Sequence, residues 1–272
     1  MLLSLLPAAA GLIYAFGYST GMIGALSAGF TGEHWNKVFS AISFWYSLGF
    51  SLAIGLISIA IATVIAMLLV IRYRASWLQS SKRYVISLPL VFPAIVTAFV
   101  VLQWFGKGGL AARICYKLGI IHDARSFPDM VNDKWGIGLI LAHVLMATPF
   151  FTLLFANIYK ANRMDEYEGL SASLGATKQQ FYCGVLMPVL LKLALPNLSL
   201  YVIFAMGSYE IPLLLGRSYP QMVSVYAADK LMRFNLMDKP QAYVVVIIFT
   251  ILVMFAVTYI LSMQKKNSNE KG

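Results

Sequence analysis

Charge is what this sequence has least of. Asp, Glu, Lys and Arg make up 12% of its 272 residues, about half the share of a soluble domain. Apolar residues make up 60%, against about 45–50% ordinarily. A soluble fold of this length cannot hide so much apolar surface or cover its outside with so few charges, which excludes an ordinary cytoplasmic enzyme. Acid is scarcer than base: 11 Asp and Glu face 21 Lys and Arg, a net charge of +10. The excess base forms no stripe interleaved with aromatics, which excludes nucleic acid as a partner. No GxxxxGK[ST] phosphate loop occurs, so the chain carries no ATP site of that kind. There is no repeat of 20–50 residues and no low-complexity linker, and one transmembrane domain over residues 1–272 is expected.

What is present is long apolar runs. Residues 1–32, 38–71, 84–106, 135–159 and 240–264 hold no charged residue, and 193–216 holds only Glu210. A bilayer core takes about 20 apolar residues of helix. The pattern predicts an all-α membrane protein with six transmembrane helices, at approximately 2–23, 45–71, 84–105, 136–158, 193–216 and 243–262. A β-barrel is excluded, because the runs lack its alternation of lipid-facing and lumen-facing residues. Leu2–Tyr18 lacks a basic start and a small-residue cleavage site, so it reads as a retained span. Val38–Phe44 is expected to lie along the interface before the second span.

Orientation follows from Lys and Arg beside the spans. The loop 72–83 carries Arg72, Arg74, Lys82 and Arg83 without an acid, and the tail carries Lys265, Lys266 and Lys271. With six spans, both termini and the loops 72–83 and 159–192 fall in the cytoplasm of a bacterial-type inner membrane. Cys115 and Cys183 then lie on opposite sides and are not expected to pair.

Within the spans, Ser47, Ser51 and Gly55 share a small-residue face that permits close backbone approach. Pro89, Pro93, Pro149, Pro196 and Pro212 each remove a backbone donor and are expected to bend or break helices. His143, mid-span, reads as a hydrogen-bonded packing residue. The stretch Asp123–Asp133, with His122, matches no trusted metal-ligand spacing and reads as a solvated outer loop or a docking surface.

The informative stretch runs from Asp165 to Pro188, a polar segment longer than a connection needs. It is expected to form two short helices around a turn. Asp165 with Glu168 is placed to cap the first helix and Thr177 with Gln180 to cap the second. Gly175 suits the left-handed conformation between them. Such a segment has the character of a docking surface for a soluble partner.

At these residues the sequence resembles the permease subunits of binding-protein-dependent ABC importers. Their cytoplasmic loop reads Glu-Ala-Ala, three residues, Gly, nine residues, Ile-x-Leu-Pro. Gly175 matches the glycine, and Val185-Leu186-Met187-Pro188 matches the end at the same spacing. Gly169-Leu170-Ser171 stands at the Glu-Ala-Ala positions, with Glu168 one place earlier. The resemblance implies a MetI-like permease fold, with a coupling-helix loop between the fourth and fifth spans seated in a groove of an ATPase dimer. The expected contact residues are Glu168, Ala172, Gly175, Ala176 and Pro188. ATP and Mg would be bound by that partner ATPase, with no cofactor in this chain. A second permease subunit, in all expectation a different chain, and an extracytoplasmic substrate-binding protein complete the implied partners.

A second resemblance lies in Gly207-Ser208-Tyr209-Glu210-Ile211-Pro212-Leu213-Leu214-Leu215-Gly216, which looks like the fifth-span segment of permeases for polyamines, ferric iron, thiamine and phosphonates. It places the chain nearest the spermidine/putrescine-like branch and implies a small charged solute such as a polyamine or phosphonate. Ser208, Tyr209, Glu210 and Pro212 are then expected on the translocation path or at a gate. A carboxylate in hydrocarbon is costly, so Glu210 should face the protein interior or a water-filled cavity. Pro212 leaves the Ser208 carbonyl without its helical donor, which predicts a break there. The alternative reading is an ion-driven secondary transporter using Glu210.

Overall fold

The computed structural model describes residues 2–24, 27, 29–73, 87–123 and 126–269. Arg74, Lys82, Arg83 and Lys271 of the predicted cytoplasmic charge clusters lie outside them, as do residues 84–86 of the third predicted span. Among the described residues the secondary structure is helical throughout. In chain order the helices are α1 (Leu2–Ser19), α2 (Glu33–Ser40), α3 (Ile42–Tyr73), α4 (Ala94–Phe105), α5 (Leu110–Lys117), α6 (Ile137–Ala161), α7 (Met164–Ser173), α8 (Lys178–Phe181), α9 (Met187–Gly207), α10 (Glu210–Leu215), α11 (Val223–Met232) and α12 (Asp238–Asn269). Among the described residues, five stretches are long and apolar enough to cross a membrane, namely Ile42–Tyr73, Ala94–Lys117, Ile137–Ala161, Lys178–Gly207 and Asp238–Ser262. The 18-residue α1 occupies the place of the first predicted span.

The chain packs as two compact units, residues up to Ala53 with those from Ile203 onward, and Ile54–Val202. In the first, α12 packs against α1, α2 and α11. Its core joins Val38, Phe44, Val223, Tyr226, Val244 and Val245. Val38 and Phe44 are therefore core residues. The expected interfacial segment Val38–Phe44 is replaced by α2, which ends at Ser40, with an extended Ala41 before α3. The small face of α3 is used as predicted. Ser51 is buried, donates to the Ser47 carbonyl at 2.9 Å and accepts from the Val223 amide at 2.8 Å, satisfying the start of α11.

In the second unit, α6 packs against α4, against the 3₁₀ turn Leu88–Val91 and against α7. Its core gathers Phe151, Phe155, Tyr159, Met164, Phe181, Leu186 and Leu190. His143 on α6 is fully buried. Asp133 accepts from the amides of Trp135 and Ile137, both at 2.8 Å, and so caps the start of α6. Cys115 and Cys183 are free thiols.

Two span boundaries need correction. The third predicted span does not run as one helix over its described part, because Pro89 and Pro93 hold Leu88–Phe92 in a 3₁₀ turn and extended link before α4. The fifth does not begin at 193: helix runs from Lys178 to Gly207. Lys192 and the polar Thr-Lys-Gln-Gln stretch broke the apolar run without breaking the backbone ladder.

Candidate functional site: the α7–α8 turn and the α9–α10 break

The chain reverses between α6 and α7 at Arg163, a non-glycine residue at φ +51° that caps α7 with no side-chain hydrogen bond. Asp165 is thus inside the first turn of α7 and does not cap it. Its carboxylate serves elsewhere. Tyr159, buried near the end of α6, donates its hydroxyl to Asp165 Oδ1 at 2.8 Å and lies 3.5 Å from Glu168 Oε2. One phenol therefore faces two carboxylates of α7, tying the helix to the end of the span. Met164 at the start of α7 and Phe181 in α8 are sunk in the same core as Tyr159.

The turn itself follows the sequence. Gly175 sits at φ +83°. The Gly175 amide donates to the Ala172 carbonyl at 3.0 Å, and the Ala176 amide to Ser171 at 2.9 Å. That bond pair is the Schellman ending, which needs the left-handed residue between. Thr177 and Gln180 then form the predicted capping box, with Gln180 Oε1 accepting from the Thr177 amide at 2.8 Å. Beyond Phe181 the backbone slips into a π turn, Tyr182–Leu186, in which the Met187 amide donates to the Tyr182 carbonyl. Pro188 follows directly, and its missing N–H makes the regular bond to Gly184 impossible.

Of the predicted contact residues, Glu168 is half-buried against Tyr159, Ala172 and Gly175 are exposed, and Ala176 is half-buried in the turn. Pro188 is exposed but lies beyond the π turn, apart from the other four in the chain's path. The most exposed apolar side chains here are Tyr167, Leu170 and Leu174, at 51%, 60% and 86%. Sequence reasoning passed over them in favour of small residues, although their 3–4 spacing puts them on one helical stripe.

At the other candidate region, the helix breaks at Ser208–Tyr209, and Tyr209 precedes α10. The Ser208 carbonyl accepts from the Ser224 hydroxyl at 2.5 Å, which replaces the donor that Pro212 lacks. Ser208 and Tyr209 are half-buried and Pro212 is buried. Glu210 does not face this chain's interior: it is exposed as the first residue of α10. An acid there is favoured by the helix dipole.

The family described as "Binding-protein-dependent transport system inner membrane component" matches residues 62–264. The chain is 27% identical over 143 residues to the thiamine transport system permease protein ThiP of Escherichia coli (strain K12), covering 52% of this chain and 25% of that protein. It is 31% identical over 135 residues to the probable ABC transporter permease protein y4fN of Sinorhizobium fredii, covering 48% and 22%. The matched region thus spans about a quarter of these relatives' own length. In fold, a bacterial ABC transporter involved in the import of the acidic polysaccharide alginate superposes with a TM-score of 0.69 over 97% of this chain and 94% of that one, at 15% identity. A bacterial alginate ABC transporter in complex with an alginate pentasaccharide-bound periplasmic protein gives 0.68, over 97% and 90%, also at 15% identity. With three-quarters of its length inside the matched region, a helical fold shared with these transporters, and the glycine turn in place, the chain belongs to the family of binding-protein-dependent transport system inner membrane components.

Proposed function

We propose that this chain is the permease subunit of an ABC importer, forming half of a translocation path and coupling to a separate ATPase dimer through α7 and the Gly175 turn. The observation that carries this reading is the stripe Tyr167, Leu170 and Leu174, exposed on a short helix whose other side is fastened to the spans by Tyr159 and Met164. Exposed leucines on a braced helix fit an apolar groove on a soluble partner, and force applied to such a helix reaches α6 directly. Glu168, Ala172, Gly175 and Ala176 would border that contact, with both termini and this turn in the cytoplasm. ATP and Mg would sit in the partner ATPase. A second permease, an extracytoplasmic binding protein and the bilayer are the remaining partners.

The solute is a small one delivered by the binding protein. Resemblance in the Gly207–Gly216 segment supports a polyamine or phosphonate, and the likeness to ThiP supports thiamine. Ser208, Tyr209, Glu210 and Pro212 would line the path or its gate. The test is ATP hydrolysis by the complex purified with its binding protein and presented with spermidine, 2-aminoethylphosphonate or thiamine. The solute that stimulates hydrolysis is the substrate. Purification of the chain without any ATPase would defeat the importer reading itself.

A further inference from the structure

Beside the α9–α10 break, the end of α9, α11 and the first half of α12 line a half-open pocket of about 350 Å³. That is the scale of a small-molecule site, about 300–1,000 Å³. Tyr209, Tyr243 and Phe249 supply rings to its wall, Ala227 and Ala228 leave the space open, and Ser224 supplies a hydroxyl. None of the lining residues is charged.

The wall is built rather than incidental. The Tyr243 ring is held against Tyr18, with centroids 4.7 Å apart. Gly207 leaves room for Phe249 on the wall; a Cβ there would stand 3.3 Å from its ring, a tight contact. The Ser224 hydroxyl spends its proton on the Ser208 carbonyl, so toward the cavity it offers only lone pairs.

These features select a chemistry. An ammonium or phosphonate settling into the pocket would give up part of its water with no opposite charge on the wall to replace it, which disfavours an ion. A flat ring would exchange water for aromatic faces and edges, the arrangement that aromatic pairs prefer. We propose that this cavity is a binding site for a small ring-bearing solute, aromatic or heteroaromatic, uncharged over the part that enters. The identification of that ligand with the transported solute rests on the importer reading; the site itself does not. Glu210, next to Tyr209 in the chain, is not part of the wall, so any charge on the solute remains outside.

The experiment is protection of a cysteine at Ala228, in a chain carrying Cys115→Ser and Cys183→Ser. Alkylation of the Ala228→Cys variant by N-ethylmaleimide is timed in the purified complex in nanodiscs, with indole as the ring probe and spermidine and 2-aminoethylphosphonate as ionic probes. Indole at four times its dissociation constant should slow alkylation roughly fivefold, and neither ionic probe should. Equal rates with and without indole, or equal protection by spermidine, would overturn the proposal. A cysteine that never reacts would overturn it too, since a lipid chain or a helix of the second permease would then fill the space. Leu231→Cys, on the same wall, provides the measurement if the first variant does not assemble. Loss of the ATPase from the complex would count against the importer reading alone, because protection is readable on the membrane-embedded chain.

Discussion

Tyr159→Phe removes one oxygen and leaves the ring in its core. The hydroxyl donates to the Asp165 carboxylate at 2.8 Å and faces Glu168 at 3.5 Å. A hydrogen bond to a charged group contributes about 1.5–3 kcal/mol when its surroundings are dry. Asp165 is exposed, so water recovers part of that, and the expected loss is about 1–1.4 kcal/mol. This corresponds to a five- to tenfold rise in the local opening equilibrium, about tenfold per 1.4 kcal/mol. The two carboxylates also lose the donor between them. Hydrogen exchange of the purified complex reads the effect directly: amides of Leu170–Ala176 should exchange about five to ten times faster. Those of the buried part of α6 should not change. If the coupling reading holds, substrate stimulation of ATP hydrolysis falls in parallel. Unchanged exchange in α7, or acceleration spread equally through α6, would refute the view that this phenol is the brace.

The other expectations are narrower. A Cβ at Gly175 would meet nothing within 4 Å, so substitution there is penalised only through φ +83°; Gly175→Val should lose more coupled ATP hydrolysis than Gly175→Asn, since the left-handed conformation costs about 1–2 kcal/mol for ordinary residues and less for Asn. His34 is buried, and burial, aided by Lys37, pushes its pKa below the usual value. The folded state therefore holds the neutral imidazole, with full stability above the unfolded pKa of about 6.5 and a loss as pH falls below it. Thermal unfolding should show that acid slope in the native protein and a flatter one in His34→Gln. Glu210→Gln keeps shape and removes charge: a helix-end role predicts a stability loss of about 0.3–1 kcal/mol with transport intact, whereas a path or gate role predicts a clear fall in solute affinity or coupling. Wild-type transport and coupling would leave it neither path nor gate role.

How much of this was legible in the sequence varies by element, for physical reasons. Charge-free runs located α3, α6 and α12 well, because bilayer length and the cost of charge constrain both ends. Span ends defined by charge failed where helix continues past it, as at Lys192 in α9. The Gly175 turn and the Thr177 capping box were legible because both are local chemistry over four to six residues. The Ser208–Tyr209 break was legible from Pro212 alone, but its donor, Ser224, was not, since sixteen residues and a change of helix separate them. The bonds from Tyr159 to α7 were not legible for a related reason. Its partners stand six and nine residues on, meeting only because Arg163 turns the chain at positive φ. The π turn had a signal in Pro188, read only as part of a motif.

We propose that α7 is where a separate ATPase engages this chain. Its most direct test is affinity purification of the tagged chain from membranes, side by side with Leu170→Asp and Leu174→Asp, followed by quantification of the ATPase and second permease retained. The wild-type chain should retain both. The two variants should keep the second permease, insert normally and lose most of the ATPase, because each puts a carboxylate on the exposed apolar stripe where the groove would have to desolvate it. Wild-type levels of ATPase on both variants, or no ATPase on the wild-type chain, would contradict it.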